Sequence, residues 1–333
     1  MPMVLEWSPA VDPSDFVARV RESLASGSLI VLPGDCGYVV LADPESPHLA
    51  SLAEFPSATL AYGPEPGMPQ SARRLMFRGW PSPLVIEVAG KRFRFPDHLS
   101  NEAVYAAVHE LGRLKPTLVF DTFLATVDAV LAKLGDAVAL AVSAGELAVN
   151  RPTVVRCDDS GWSIMEEGAF SADEIQRLAA RIVLFVCTGN TCRSPLAEGL
   201  ARKLLADRLG CSQDDLPARG YWMLSAGVAA FGGSPASPES ADVAAEFGAD
   251  LLAHRSRPVN PQLLAAADDI IAMTRGHAYS LAANFPEIGP PPKLLCGEED
   301  LDDPIGSSLD VYRACAQTIQ QHLERYIAEW MGQ

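Results

Sequence analysis

The chain has 333 residues, a formal net charge of −16, and 48% hydrophobic against 20% charged residues. At about 100–200 residues per domain this points to two domains with a sizeable apolar core, and it excludes wholesale disorder. The acidic balance argues against unspecific binding to bare nucleic acid, which runs on phosphate neutralisation, but it leaves room for a shaped local anion site.

Seven cysteines stand at 36, 157, 187, 192, 211, 296 and 315. The number is odd and the chain is long enough to need no staples, so a disulfide framework is a poor reading. The opening MPMVLEWSPAVDPSDF lacks the basic and apolar regions of a signal peptide. No apolar run reaches about 18 residues without charge or turn signals, so no membrane span is expected. These features predict a cytoplasmic protein with reduced thiols.

In the first half, apolar residues at Phe16, Val17, Val20 and Leu24 have helical spacing over 12–26, with Gly27 as the stop. LIVLP (29–33) and YVVLA (38–42) are split by Gly34-Asp35-Cys36-Gly37 and predict two strands across a turn. Further strands are expected at 58–62, 83–89, 137–142 and 152–157, and helices at 101–112 and 122–134. Residues 63–71, rich in Pro and Gly, predict a loop.

The second half alternates more cleanly. Strands are expected at 181–186, 222–227, 269–274 and 293–297, with helices at 194–210, 238–248 and 308–331. Strand–helix alternation predicts a doubly wound, four-stranded parallel sheet with helices on both faces. A helix over 171–181 feeds straight into the strand at 181, which places the domain boundary at 178/179.

The stretch RIVLFVCTGNTCRSPLAEGL (181–200) carries the chemistry. A buried strand ends in Cys187, a loop of Thr188, Gly189, Asn190, Thr191 and Cys192 follows, and Arg193-Ser194-Pro195 opens a helix. Such a loop aims several backbone N–H groups at one spot, and the helix dipole adds positive charge there, so an oxyanion binds. Gly189 permits close approach of the backbone. Asn190 tolerates a left-handed conformation. Arg193 can fork two hydrogen bonds to phosphate oxygens. The same field favours Cys187 as a thiolate nucleophile, to which the Ser194 hydroxyl can donate. A dinucleotide loop would need G-x-G-x-x-G and a Walker loop G-K-[ST]; neither is present.

A leaving group needs an acid. Asp303, held extended before Pro304 in EEDLDDPIGSS, is the candidate, because the loop after the fourth strand lies at the carboxyl edge of the sheet. Glu298, Glu299 and Asp300 read as a solvated acidic loop. Cys192 has two readings: a reversible disulfide partner for Cys187, or a neutral packing thiol. No C-x₂-C pair marks zinc, and His254 and His277 lack partners at i+3 or i+4, so they read as surface or packing residues. No metal or other cofactor is expected.

VCTGNTCRSPLAE, SAGV (225–228) and DDPIG with its long final helix resemble the low-molecular-weight protein tyrosine phosphatase family over about 181–330. Within it the chain is most similar to the protein-arginine phosphatase branch, which carries Thr in the loop, here Thr191, and an Asp-Pro followed by small residues rather than tyrosines. A β-branched hydroxyl narrows the pocket, and loss of an aromatic wall removes a stacking face. The resemblance implies phosphorylated proteins as substrates, phosphoarginine in the first reading and phosphotyrosine in the second. It also implies a cysteinyl-phosphate intermediate formed by Cys187, with Arg193 and Asp303 catalytic. Thr188, Gly189, Asn190, Thr191, Cys192 and Ser194 would bind phosphate.

The first half resembles the YrdC-like domain of threonylcarbamoyl-AMP synthases. GSLIVLPGDCGYVVLAD (27–43), WPSPLVIEV (80–88), RPTVVRC (151–157) and IMEEGAFSADEI (164–175) carry the likeness. The departures fall on ligand-binding positions. The Thr-rich turn is Gly34-Asp35-Cys36, the Lys-x-Arg pair has no counterpart between 44 and 72, Ser-Ala-Asn reads Phe120-Asp121-Thr122, and the last arginine is Glu166. Arg73, Arg74 and Arg78 have two readings, partial substitutes for the missing cations or, the favoured one, an exposed helix face. A degenerate domain is therefore expected. The alternative is carbamoyl-adenylate synthesis for tRNA modification, or nucleotide or RNA binding, carried by this half.

Overall fold

The computed structural model describes residues 2–6, 13–98, 104, 108, 116–286 and 289–331. The chain divides into two compact units, Met1–Ala179 and Ala180–Gln333.

The N-terminal unit is built on a ten-stranded mixed sheet. In chain order the strands are β1 (Met3–Glu6), β2 (Leu29–Gly34), β3 (Gly37–Ala42), β4 (Ser57–Leu60), β5 (Leu84–Val88), β6 (Lys91–Arg94), β7 (Leu118–Asp121), β8 (Val138–Ser143), β9 (Thr153–Asp158) and β10 (Gly161–Glu166), and across the sheet they run β1-β8-β2-β3-β7-β4-β6-β5-β9-β10. The β2–β3 hairpin is antiparallel, closing at Gly34 opposite Gly37. Its side chains alternate between two faces. Ile30, Leu32, Val39 and Leu41 meet Phe16, Val20 and Leu24 of the helix Pro13–Ala25 on one side. Leu29, Val31, Tyr38 and Val40 meet Val127, Val130 and Leu134 of the helix Val127–Leu134 on the other. The helix expected over 122–134 starts at Val127, where the Thr126 side chain accepts from the Ala129 N–H as its N-cap. The helix expected at 101–112 lies outside the described residues apart from Val104 and Val108, both buried in the first of these cores. Four strands, β1, β6, β7 and β10, went unread in the sequence. The fold of this unit is unassigned.

The C-terminal unit holds a four-stranded, all-parallel sheet in the order β12-β11-β13-β14, with β11 Arg181–Cys187, β12 Tyr221–Gly227, β13 Asp269–Ala272 and β14 Lys293–Leu294. Along β11, Val183, Phe185 and Cys187 point into one core with the helices Arg193–Leu209 and Leu309–Trp330, through Leu196, Leu200, Ile319 and Leu323. Leu184 and Val186 point the other way, against Leu264 of Pro261–Ala266 and Leu281 of Arg275–Asn284. This alternation covers the sheet on both faces and puts Cys187 on the face beneath Arg193–Leu209. The fourth strand is shorter than its expected 293–297. The chain turns at Gly297, whose N–H donates to the Leu294 carbonyl at 3.2 Å. No helix among the described residues is long and apolar enough to cross a membrane.

Candidate active site

β11 delivers Cys187 to the carboxyl edge of the sheet, in register with Gly227 of β12. The loop that follows is shaped by Asn190 more than by Gly189. Asn190 has φ 56°, the left-handed conformation, and is fully buried. A Cβ on Gly189 would meet only Thr191 Oγ1 at 3.5 Å, an ordinary contact, so the fold places no steric demand on that glycine. The close approach falls on Gly227 instead, where a Cβ would lie 2.4 Å from the Thr188 carbonyl oxygen and 3.0 Å from Asn190 N.

Asn190 spends every polar atom it has. Its backbone N–H donates to Cys187 Sγ at 3.3 Å. Nδ2 donates to Ser194 Oγ at 2.9 Å and Ser225 Oγ at 2.8 Å, and Oδ1 accepts from the Arg257 N–H at 2.9 Å. Its carbonyl accepts from His254 Nε2 at 2.8 Å. Ser225 passes its own proton to Glu198 Oε2 at 2.6 Å. Ser194 Oγ, already accepting from Asn190, lies 3.0 Å from Cys187 Sγ. The sulfur, itself buried, thus sits between a hydroxyl and a backbone N–H at the mouth of a helix N-terminus. A buried network satisfied in this way holds one geometry.

Arg193, the first residue of its helix, is buried and reaches across to the loop after β14. Nη1 donates to the Leu301 carbonyl at 3.1 Å and Nη2 pairs with Asp303 Oδ2. Asp303 Oδ1 accepts from the Ile305 N–H at 3.3 Å, a local turn that fixes the carboxylate. The structure therefore brings Cys187, Arg193 and Asp303 to one edge of one sheet. Asp300, read as part of a solvated run, is exposed and also accepts from the Arg275 N–H at 2.7 Å.

The segment after β12 straps along the same loop. The Val228 and Ala229 N–H groups donate to the Cys187 and Thr188 carbonyls at 2.9 and 3.0 Å, and Ser237 N–H donates to the Thr191 carbonyl at 2.8 Å. Phe231 on this strap is 88% exposed, and Ile305 after Asp303 is 65% exposed. The Cys192 sulfur lies 3.6 Å from Ser237 Oγ and 3.6 Å from Tyr312 Oη. Both cysteines are free thiols. Cys192, grouped in the sequence with the phosphate-binding residues, thus directs its side chain into the core under the loop.

The two histidines also make hydrogen bonds around the loop. His254 holds the Asn190 carbonyl. His277, 6% exposed, bridges Thr188 Oγ1 from Nε2 and Thr274 Oγ1 from Nδ1, both at 2.8 Å. Burial and the neighbouring Arg193 cation push its pKa below the usual imidazole value. One signal could have found it: Thr274 caps the helix Arg275–Asn284, and His277 stands three residues on, where a capped N–H falls.

In the N-terminal unit, a cleft of ≈ 410 Å³ is lined by Arg92, Arg151, Asp121, Glu166, Glu167 and Phe123, among others. Beneath it lies Arg94, fully buried, with Nε 3.0 Å from Asp121, Nη2 on Asp35 and Nη1 donating to the Ser82 carbonyl at 2.9 Å. Arg74 and Arg78 are not an exposed face. They donate to the Ala179 and Leu178 carbonyls at the end of the helix Ala172–Ala179.

Residues 182–332 match the family model described as low molecular weight phosphotyrosine protein phosphatase. A protein-arginine-phosphatase of Geobacillus stearothermophilus is 35% identical over 148 residues, which cover 43% of this chain and 91% of that protein. One of Bacillus subtilis is 32% identical over 148 residues, covering 43% and 92%. The low molecular weight protein-tyrosine-phosphatase Etp of Escherichia coli is 32% identical over 151 residues, covering 44% and 90%.

Proposed function

Because the chain belongs, through residues 182–332, to the low molecular weight phosphotyrosine protein phosphatase family, we propose that it is a cysteine-dependent protein phosphatase acting on phosphoarginine. The observation that carries the reading is the convergence of three groups. Cys187 Sγ is 3.0 Å from Ser194 Oγ, it accepts from the Asn190 N–H, and the Arg193–Asp303 pair stands at the same sheet edge. The sulfur attacks phosphorus in line as Asp303 gives a proton to the departing nitrogen. The P–N bond breaks and an S–P bond forms. Water, deprotonated by Asp303, then hydrolyses the cysteinyl phosphate and returns the thiolate. Arg193 and the loop amides meet the charge on the transferring phosphoryl group.

Phosphoarginine is favoured by Thr191 in the loop and by aliphatic Ile305 after Asp303, which together suit a slender guanidinium. One observation favours a second reading, phosphotyrosine: exposed Phe231 on the strap offers a face on which a phenyl ring can stack. The experiment is hydrolysis of phosphoarginine and phosphotyrosine peptides by the full chain, side by side. Turnover of phosphoarginine that Cys187→Ser abolishes is expected. Full turnover by Cys187→Ser sinks the assignment.

For residues 1–178 the reading is a degenerate YrdC-like domain. Three carboxylates face two guanidinia in its cleft, and Arg92 is already tied to Glu87 and Glu166. A triphosphate finds Arg151 alone among these lining cations, too little for adenylate chemistry. ATP- and threonine-dependent pyrophosphate release is expected to be nil. Release above background would instead make this half a carbamoyl-adenylate synthase.

A further inference from the structure

We infer that His277 is a positioning residue that, as a neutral imidazole protonated on Nε2, fixes the Thr188 hydroxyl as an additional hydrogen-bond donor to the phosphoryl group. The inference deepens the phosphatase reading and rests on it.

The argument is an accounting of protons. Thr274 Oγ1 accepts from the His277 backbone N–H at 3.2 Å as the helix cap. Its own proton is then free to go to His277 Nδ1 at 2.8 Å, which makes Nδ1 an acceptor and leaves the ring proton on Nε2. Nε2–H donates to Thr188 Oγ1 at 2.8 Å. Thr188 Oγ1 is thereby an acceptor, and its hydroxyl proton has no partner among the described residues. In the opposite tautomer the unspent proton would fall on Thr274. Thr188 is exposed, on the phosphate loop next to Cys187, whereas Thr274 is half-buried. An unspent donor costs least where a ligand or water can take it.

The charges around the ring agree. The groups facing His277 from other elements are Arg193, Asp303 and Asp300, so the His277–Thr188 pair stands beside the Arg193–Asp303 pair. Burial and the Arg193 cation hold the ring neutral. The Thr188 side chain therefore adds a side-chain donor to a site otherwise made of one guanidinium and backbone amides.

Two measurements on the full chain test this. Nitrogen NMR of His277 at neutral pH should show Nε2 protonated and Nδ1 bare; the Nδ1–H tautomer or an imidazolium overturns the inference. Thr188→Val and His277→Leu should each lower kcat/KM about 10²-fold, the lower end of what removal of one preorganised donor costs. The double variant should be no worse than either single, and His277→Gln, whose amide can donate, should recover most of the loss. Losses that multiply in the double variant, or wild-type kinetics for Thr188→Val, overturn it. Should the wild-type chain hydrolyse neither substrate, the phosphatase reading fails by itself. The tautomer, and a weaker grip of Thr188→Val on inorganic phosphate, then still decide this inference.

Discussion

Arg193 holds Asp303 by Nη2 while its Nη1 donates to the Leu301 carbonyl, 3.1 Å away. Arg193 is buried and the Asp303 side chain is 41% exposed. Phosphate oxygens and the acid therefore draw on one guanidinium. Asp303→Asn keeps an acceptor for Arg193 and removes the proton. Its kcat should fall about 10²–10⁴-fold, the usual contribution of a general acid–base group. KM should not rise, since Arg193 loses a charged competitor. The loss should shrink on an aryl phosphate whose leaving group needs no proton. A kcat within a factor of two of wild type on phosphoarginine would remove Asp303 from the mechanism.

Thr191 tests specificity. Its carbonyl is pinned by the Ser237 N–H at 2.8 Å, so a side-chain exchange leaves the loop anchored. Thr191→Ile swaps the hydroxyl for bulk of the same branching. The phosphoarginine-to-phosphotyrosine ratio of kcat/KM should fall about tenfold, in the range that one pocket group commands. An unchanged ratio refutes the role given to Thr191. If Phe231→Ala alone shifts the ratio, the strap and not the loop selects the substrate.

The site was legible in the sequence where it is local. Cys187, Asn190, Arg193 and Ser194 lie within eight residues of one strand–loop–helix, and Asp303 is placed by the rule that loops after parallel strands share an edge. What holds that loop was not legible. Ser225, His254, Arg257 and His277 come from three other segments, and no spacing links them to Asn190 or Thr188 before the chain folds. In the N-terminal unit the strand Lys91–Arg94 hid behind three cations in four residues. It is a strand because Asp35 and Asp121 converge on Arg94 from β3's turn and β7 and make its burial possible. Charge patterning reads such a run as surface, since charged residues are almost never buried unless paired.

His277 also predicts a pH dependence of stability. Its folded-state pKa lies below the ordinary imidazole value of about 6.5. The unfolded chain then binds the proton more readily, so stability is full above that value and declines as pH falls toward the folded pKa. His98, also buried and shifted down, acts with the same sign in the N-terminal unit. His277→Gln should flatten the decline below about pH 6.5 and leave the His98 part in place. The check is the pH series of melting temperatures for the two proteins. Parallel curves through that range would show that His277 does not titrate on unfolding.

Arg94 is 0% exposed and carries two carboxylates, Asp35 and Asp121, with Cys36 Sγ 3.3 Å from Nη2. Burial pushes the Cys36 thiol up to about 12, so the sulfur stays neutral and adds no third negative charge to the cluster. Arg94→Met fills the same volume but strands both carboxylates in the sheet. It should cost about 3–5 kcal/mol, the penalty for breaking a buried pair from one side. Arg94→Met combined with Asp35→Asn and Asp121→Asn removes both stranded charges and should regain much of that loss. Urea unfolding of the full chain, followed by Trp80 and Trp162 fluorescence in the N-terminal unit, reads both. A single variant as stable as wild type would mean the two aspartates are held by groups other than Arg94. A triple variant no better than the single would mean that the guanidinium's packing, and not its charge, secures the sheet.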